Sequence, residues 1–249
     1  MPADQAPERG GESPRHVIWD WNGTLLDDAA AVIEATTAAF AEAGIALAIT
    51  EATYRRHFTR PIPLFYERLL GRAVEPEEWL LLDRGFHAHY GRLQERCRLA
   101  PGAREVLAEI RARGWTQSVC SMLPHQYLMP ALERHRIRGY FSRVDGLRGD
   151  ERGGAKLAHL NLHLERLAVR RSSTVLIGDT VDDALAARTA GIASVLVDGG
   201  AGLHDSAAIA AAGAPVAESL PEALALLTSQ SAWPANQKAT SPVLDWAGG

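Results

Sequence analysis

The amino-acid sequence predicts an α/β fold, a doubly wound parallel sheet whose chain is interrupted by one all-helical insertion. Short apolar segments alternate with amphipathic helical segments from residue 99 to about 228, a pattern typical of a parallel sheet covered by helices. Between residues 27 and 98 the apolar spacing is helical throughout, with no alternating strand pattern. A chain of 249 residues is long enough for one such core and one smaller unit.

The first element is the apolar segment His16-Val17-Ile18-Trp19, which is followed at once by Asp20 and a glycine turn. A short, continuous apolar run of this kind is typical of a buried parallel strand. We therefore expect Asp20 at the carboxyl end of a strand, where ligands bind in doubly wound sheets.

The insertion contains four predicted helices. The first, from about 28 to 43, has apolar residues at three- and four-residue steps and ends before Gly44, a typical stop signal. The other helical patterns cover about 50–58, 62–70 and 76–96. We therefore assign residues 27–98 to a helical cap domain inserted into the core.

After Pro101-Gly102 the pattern becomes an alternation of helices and strands. The predicted helices are 103–113, 124–136, 156–168 and 182–190, the predicted strands are 115–120, 141–144, 174–178 and 193–197, and a last strand and helix lie between 214 and 228. The core domain would comprise residues 15–26 and 99–228. Residues 1–14 and 229–249, which lack apolar periodicity, would be disordered tails.

Composition excludes several classes of function. With a formal net charge of −4, the protein has no field that would attract nucleic acid or an anionic membrane, so we expect neither as a partner. Two cysteines without metal-site spacing predict reduced thiols. The N-terminus has no apolar signal segment, and no apolar run reaches the ~18 residues that span a bilayer. We therefore expect a cytoplasmic protein.

Reactive side chains follow the predicted strands. Asp20, Ser121 and Asp179 each come directly after the last residue of a strand. Because the carboxyl ends of parallel strands meet along one crevice, we expect these side chains to converge. Lys156, which opens a predicted helix, would add an ammonium group at the same edge.

This set of groups suits phosphoryl transfer, in which an anionic nucleophile must approach an anionic phosphate. A divalent cation between Asp20, Asp179 and a phosphate oxygen would offset the repulsion, and oxygen ligands beside a phosphate favour Mg²⁺. Backbone amides of the glycine turn after Asp20 would hold other phosphate oxygens, because glycine lets the turn approach closely. The predicted phosphate-binding residues are Trp21, Gly23, Thr24, Ser121 and Lys156.

The same residues resemble the four short motifs of the haloacid dehalogenase (HAD) superfamily, in the family's order. Residues 20–25, Asp-Trp-Asn-Gly-Thr-Leu, resemble motif I, and residues 178–183, Gly-Asp-Thr-Val-Asp-Asp, resemble motif IV. Ser121 and Lys156 stand at the positions of motifs II and III. The resemblance spans residues 16 to about 228. It implies a Rossmann-like core with a helical cap between motifs I and II that closes over the substrate.

By this resemblance, Asp20 is a nucleophile that becomes a phosphoaspartate, and the protein is a Mg²⁺-dependent phosphatase or phosphotransferase acting on a small phosphorylated metabolite. The implied catalytic residues are Asp20, Asn22, Ser121 and Lys156. The implied metal ligands are the Asp20 side chain, the Asn22 backbone carbonyl and Asp179, with Asp183 supporting the site and Asp182 beside it.

Asn22 departs from the family's phosphatase pattern, which usually has a second aspartate at this position. That aspartate protonates the leaving oxygen and then activates water. An amide has no proton to exchange near neutral pH, so acid-base catalysis worth ~10²–10⁴ in rate would be lost. The protein is then a slow enzyme, an enzyme for a different reaction, or a catalytically impaired protein that binds a phosphorylated ligand or partner.

Two other reactions of the family are disfavoured. Family phosphonatases use a cap lysine, and residues 27–98 contain none. Family dehalogenases have tyrosine at the position of Asn22 and need no metal, whereas the acidic residues of 178–183 indicate a metal site. We therefore expect Asn22 to slow dephosphorylation unless another group, with His125 as a candidate, supplies the base. Asn22→Asp would then accelerate turnover.

Three further features have less specific interpretations. His159 and His163 lie one helical turn apart, but without a third ligand or an HExxH motif we expect them to be structural. Trp21 either packs under the turn or lines the pocket. A basic cluster in the insertion, which either faces solvent or contacts an anionic part of the substrate, comprises Arg55, Arg56, His57 and Arg60.

Overall fold

The structure is a computed structural model that describes residues 15–148, 154–199 and 202–229. The tails predicted at 1–14 and 229–249 lie outside the described residues, apart from Ser229. The strands are β1 (His16–Trp19), β2 (Leu26–Asp27), β3 (Arg98–Leu99), β4 (Thr116–Pro124), β5 (Arg143–Leu147), β6 (Thr174–Gly178), β7 (Ala193–Val197) and β8 (Val216–Ala217). The helices are α1 (Ala29–Glu42), α2 (Glu51–His57), α3 (Ile62–Leu70), α4 (Pro76–Leu93), α5 (Ala103–Ala112), α6 (His125–Arg134), α7 (Lys156–Leu167), α8 (Val181–Thr189), α9 (Ser206–Ala211) and α10 (Leu220–Thr228).

Six strands form one parallel sheet in the order β5-β4-β1-β6-β7-β8. The chain builds from β1 outward to β5 on one side and then from β6 outward to β8 on the other. The point where the order reverses is therefore the carboxyl end of β1, where a doubly wound sheet opens a crevice between neighbouring strands. Trp19, the last residue of β1, pairs with Val119 on one side and Ile177 on the other.

Both faces of the sheet are covered by helices. Val17 and Trp19 on β1 belong to one hydrophobic core, together with apolar residues of α5, α6 and α10. Ile18, which points to the opposite face, belongs to a second core with residues of α7 and α8. A strand buried on both faces has no polar face, which is why residues 16–19 lack alternation. The predicted α/β class with a doubly wound parallel sheet is confirmed.

The insertion between β1 and β4 contains helices α1 to α4 and begins and ends at a short antiparallel pair, β2 with β3. Helices α1 and α4 pack closely. Gly85 of α4 lies so near α1 that a Cβ at this position would be only 3.2 Å from the Ala39 side chain. The insertion has its own hydrophobic cluster, which includes Phe40, Tyr54, Phe65, Tyr66 and Leu82, and Leu203 of the core segment joins it.

Several boundaries differ from the sequence-based expectations. Strand β4 runs to Pro124 rather than ending at residue 120, with a shift in register between Cys120 and Pro124. The strands β2 and β3 and the six-residue helix α9 were not predicted, because elements this short show no measurable periodicity. None of the helices in the described part of the chain combines the length and apolar character needed to cross a membrane.

Candidate active site

Three carboxylates meet at the carboxyl end of β1. Asp20 follows β1 directly, Asp179 follows the neighbouring β6, and Asp183 lies in the first turn of α8. Each offers one oxygen within 4.8 Å of those of the other two, and all three residues are buried. The structure therefore brings Asp20 and Asp179 together, as the strand order predicted, and places beside them Asp183, which the resemblance implied would support the site.

Lys156 is the cation of this cluster. Its buried ammonium group donates to Asp20 Oδ1 and to Asp183 Oδ1, each at 2.5 Å. Lys156 is the first residue of α7, and its backbone N–H donates to the Asp182 carboxylate at 2.8 Å. Asp182 thus ties the start of α7 to the start of α8 and fixes the position from which the lysine side chain extends.

The charges in this cluster do not balance. Burial raises the pKa of Asp20 to about 8; Lys156 opposes the shift, while Asp183 and Asp179 add to it. Burial also works against ionisation of Asp183, but Lys156 and Thr180 nevertheless hold its pKa below the usual value. Three carboxyl groups share one ammonium group, so they cannot all ionise without a surplus of negative charge. A divalent cation with oxygen ligands fits such a set of donors.

The glycine turn after Asp20 lies against Asp179. Gly23 has φ +69°, and a Cβ there would lie 2.3 Å from Asp179 Oδ2, so only glycine fits this position. The Thr24 hydroxyl donates to Asp179 Oδ1 at 2.9 Å. His204, which sequence reasoning missed, places Nε2 3.2 Å from Asp179 Oδ2. Gly23 therefore leaves room for the Asp179 carboxylate beside the turn, and Thr24 donates a hydrogen bond to it.

Two other predicted phosphate-binding residues, Ser121 and Trp21, differ in whether they line the cavity next to Asp20. Ser121 lines the same cavity as Asp20 and lies in β4, where its hydroxyl accepts the Leu123 N–H at 3.1 Å. The Trp21 side chain is buried in the main hydrophobic core and is not among the cavity-lining residues. Trp21 therefore packs under the turn rather than lining the cavity.

The side-chain amide of Asn22 forms hydrogen bonds with two other residues of the site. Its amide donates to Asp28 Oδ2 at 2.7 Å and to the Tyr90 hydroxyl at 2.5 Å. The Tyr90 hydroxyl donates in turn to Asp28 Oδ2 at 2.6 Å, and the Gly23 N–H donates to Asp28 Oδ1 at 2.9 Å. Burial raises the pKa of Asp28 to about 6, while the hydrogen bonds from Tyr90, Asn22 and Gly23 hold it lower than burial alone would.

Sequence reasoning missed both Asp28 and Tyr90. Asp28 stands just before α1, and an acidic residue there is ordinarily interpreted as a helix cap. Its side chain makes no capping bond to α1, because the carboxylate turns back to the glycine turn. Tyr90 is 68 residues from Asn22 in sequence, and no local pattern relates the two.

A cavity of about 680 Å³ opens above these residues and is lined by both the core and the insertion. Cavities of this size bind small-molecule ligands. The insertion contributes mainly aromatic and aliphatic side chains, including Tyr54, Phe58, Ile62, Phe65, Tyr66 and Phe86. A ligand in this cavity would contact polar strand ends on one side and the insertion on the other.

Of the basic cluster, Arg60 reaches the cavity. Its guanidinium donates to the Gly154 carbonyl at 3.3 Å and lies 3.9 Å from the Asp182 carboxylate, so it links the insertion to the start of α7. Arg55 instead bonds to Glu51 and to the His204 carbonyl, and it does not line the cavity.

His125 lines the cavity, but both of its ring nitrogens have partners. Nδ1 accepts the Gly146 N–H at 3.3 Å, and Nε2 lies 2.8 Å from Arg148. Burial and the nearby Arg148 lower its pKa. As a base it would first have to give up one of these contacts. His159 and His163 are buried and bonded to Asp145, which matches the structural role expected for them.

A family model and several known proteins are similar to this chain. A family model described as haloacid dehalogenase-like hydrolase matches residues 14–191. The phosphoglycolate phosphatase of Vibrio parahaemolyticus is 30% identical over 190 residues, which cover 72% of this chain and 81% of that protein. The phosphoglycolate phosphatase of Pseudomonas fluorescens is 28% identical over 199 residues, covering 76% and 71% respectively.

Among solved structures, a predicted phosphatase from Clostridium acetobutylicum matches with a TM-score of 0.77 at 17% identity. The match covers 87% of this chain and all of that chain, which shows a shared fold.

Proposed function

Because the chain belongs to the haloacid dehalogenase-like hydrolases, we propose that it is a Mg²⁺-dependent phosphatase acting on a small phosphorylated metabolite. The observation that carries the proposal is the meeting of Asp20, Asp179 and Asp183 around one point, with Lys156 bonded to two of them. A nucleophile, a cation and a cluster of oxygen donors are the groups that phosphoryl transfer requires.

Asp20 is the proposed nucleophile. A carboxylate oxygen of Asp20 forms a bond to phosphorus while the bond from phosphorus to the leaving oxygen breaks, and the leaving oxygen takes up a proton from solvent. Water then attacks the phosphorus of the phosphoaspartate and gives up a proton to solvent. The bond from phosphorus to the Asp20 oxygen breaks in this step, which releases phosphate and restores the Asp20 carboxylate. Lys156 and Ser121, which line the cavity beside Asp20, would hold the phosphate oxygens during both steps.

The proposed Mg²⁺ ligands are Asp20, Asp179, Asp183 and the backbone carbonyl of Asn22. When bound, the cation supplies positive charge that reduces repulsion between the carboxylates and the phosphate. Thr24 and His204, which contact the two oxygens of Asp179, would hold that ligand in place. The insertion at 27–98 is the proposed cap, because it supplies much of the cavity wall and Arg60 links it to the core.

Phosphoglycolate is the first substrate to test, because the relatives from Vibrio and Pseudomonas are named for it. An aryl phosphate should accompany it, because its good leaving group needs little acid assistance and therefore tests Asp20 even if Asn22 has weakened acid catalysis.

The test is phosphate release with Mg²⁺ and with a chelator, in the wild type and in Asp20→Asn. We expect Mg²⁺-dependent turnover that falls by ~10⁴-fold or more in the variant, because loss of a nucleophile removes the covalent route. The matched control is Asp27→Asn, the same change at an exposed neighbour, which should retain activity.

Equal rates in wild type and Asp20→Asn would contradict the proposal. A wild type that binds phosphate or an aryl phosphate in a Mg²⁺-dependent way, but releases none, would instead favour the impaired binding protein that Asn22 suggests.

A further inference from the structure

The half-buried amide of Asn22 and the buried carboxylate of Asp28 form a hydrogen-bonded pair next to the proposed nucleophile. Nδ2 of Asn22 donates to Oδ2 of Asp28 at 2.7 Å, and the Tyr90 hydroxyl bonds to both groups. Asp28 is 2% exposed and Tyr90 1% exposed, so these two side chains are largely shielded from solvent. All three residues line the cavity.

We propose that Asn22 and Asp28 are a matched amide–carboxylate pair, fixed by Tyr90, which positions the turn of the nucleophile and excludes a second carboxylate at position 22. The inference rests on the proposed function and deepens it. The negative charge of the pair is then at position 28, and Asn22 is a positioning residue rather than a weakened acid.

The hydrogen-bond donors explain why one amide and one carboxylate are required. Asp28 accepts three hydrogen bonds, from the Gly23 N–H, the Asn22 amide and the Tyr90 hydroxyl. Because the Gly23 N–H belongs to the turn directly after Asp20, the carboxylate fixes the backbone that faces the substrate. A carboxylate in place of the Asn22 amide would remove the two N–H groups that donate to Asp28 and Tyr90. It would also set a second anion beside the buried Asp28 carboxylate, where like charges repel strongly.

The pair also connects the insertion to the core. Tyr90 lies near the end of α4 and stacks on Phe86, with ring centroids 5.5 Å apart. Asn22 belongs to the turn after β1, and Asp28 precedes α1. The hydroxyl of Tyr90 is therefore the point at which a helix of the insertion contacts the turn of the nucleophile.

The structure thus reverses the simple expectation for Asn22→Asp. On sequence grounds that change restores an acid and accelerates turnover. With Asp28 present, we expect it to lower kcat at least tenfold near pH 8. In the double variant Asn22→Asp with Asp28→Asn, the two groups are interchanged. The amide introduced at position 28 can donate to the new carboxylate and accept the Gly23 N–H, so kcat should return to within about threefold of the wild type or exceed it.

The experiment is a double-mutant cycle in kcat and KM with an aryl phosphate and Mg²⁺, below the unfolding midpoint of every variant. Asp27→Asn is the matched control at an exposed neighbour and should leave kcat unchanged. Tyr90→Phe keeps the ring and removes the hydroxyl, and should lower kcat three- to tenfold with little change in KM. A merely structural role would change the folded fraction but not kcat per folded enzyme.

Additive effects at positions 22 and 28, or faster turnover in Asn22→Asp alone, would overturn the inference. If the wild type has no activity that depends on Asp20, the proposed function fails, but the cycle is still measurable in unfolding midpoints. The double variant should then unfold at a higher temperature than Asn22→Asp, and an equal or lower midpoint would refute the pairing.

Discussion

Two buried polar clusters lie along helix α7, and they differ in charge and in access. The open cluster consists of Asp20, Lys156, Asp179 and Asp183, at the N-terminal end of the helix. The closed cluster, two turns further along, consists of the buried residues His16, Ser118, Asp145 and His163, with the exposed Thr116 at its end. The open cluster lines the large cavity, and no member of the closed cluster does.

The closed cluster is a continuous chain of hydrogen bonds. Asp145 accepts from Nδ1 of His163 at 2.7 Å, and Nε2 of His163 lies 2.8 Å from the Ser118 hydroxyl. Nε2 of His16 lies 2.8 Å from the same hydroxyl, and its Nδ1 lies 2.7 Å from the Thr116 hydroxyl. With both rings neutral, every donor along this chain has one acceptor.

Serine, histidine and aspartate in this order also form the nucleophilic triads of many hydrolases. Here Ser118 and His163 are both 0% exposed, so no substrate can reach the hydroxyl. The open cluster is also buried, but it faces a cavity and holds three carboxylates against one ammonium group. Surplus charge and access, rather than residue types, therefore separate a candidate site from a structural network.

The closed cluster should make stability depend on pH. Burial, and to a smaller extent His163, lower the pKa of His16 to about 4, whereas an unfolded histidine titrates near ~6.5. Between these values the unfolded chain binds more protons, so stability is complete above ~6.5 and is lost as the pH falls towards 4. The loss is about 3 kcal/mol over the whole window and about 2 kcal/mol by pH 5.

Urea unfolding near pH 7.5 and near pH 5 measures this loss. Carboxylates elsewhere add their own dependence on pH, so the control is His16→Gln, which cannot titrate. Its free energy of unfolding should fall by about 2 kcal/mol less than that of the wild type between the two conditions. The same fall in both proteins would show that His16 is not responsible.

The sequence predicted the open cluster far better than its surroundings. Asp20 and Asp179 directly follow strands that are recognisable in the sequence as short apolar runs. Their convergence therefore follows from the topology of a parallel sheet. Asp28 was missed because its contacts depend on a carboxylate that turns away from the helix it precedes. Tyr90 and His204 reach the site from distant segments, and only the tertiary packing of the insertion and the loop after β7 brings them there.

Asp145→Asn should destabilise the closed cluster by about 2 kcal/mol, because it removes a buried carboxylate that is bonded to a charged partner. Asp145 accepts from Arg143 at 2.5 Å as well as from His163, and these contacts hold its pKa well below the usual value against the effect of burial. Kinetics below the unfolding midpoint should change little, since Asp145 does not line the cavity.

Thermal or urea unfolding measures this effect. The control is Glu109→Gln, which removes an exposed ion pair with Arg113 and should change stability by less than ~0.5 kcal/mol. If Asp145→Asn were as mild as this surface change, the closed cluster would not be a stabilising network.

Asp20→Asn should raise the free energy of unfolding, whereas Asp145→Asn should lower it. Burial and the neighbouring carboxylates raise the pKa of Asp20, despite Lys156, so its ionised form is unfavourable in the folded protein. The amide removes one of three crowded carboxyl groups and leaves Lys156 paired with Asp183. In a chelator near pH 8 we expect a gain of about 1 kcal/mol in the free energy of unfolding, as is common when a strained functional residue is replaced.

Adding Mg²⁺ should reverse the order of stability, so that the wild type becomes more stable than Asp20→Asn. A cation that binds the folded wild type stabilises it by RT ln(1 + [Mg²⁺]/Kd), and Asp20→Asn, with one ligand fewer, should gain less. The same variant would then be more stable than the wild type in chelator, less responsive to Mg²⁺ and inactive. If Asp20→Asn were instead destabilised in chelator as strongly as Asp145→Asn, the open cluster would be a satisfied network like the closed one, and surplus charge would not distinguish the two.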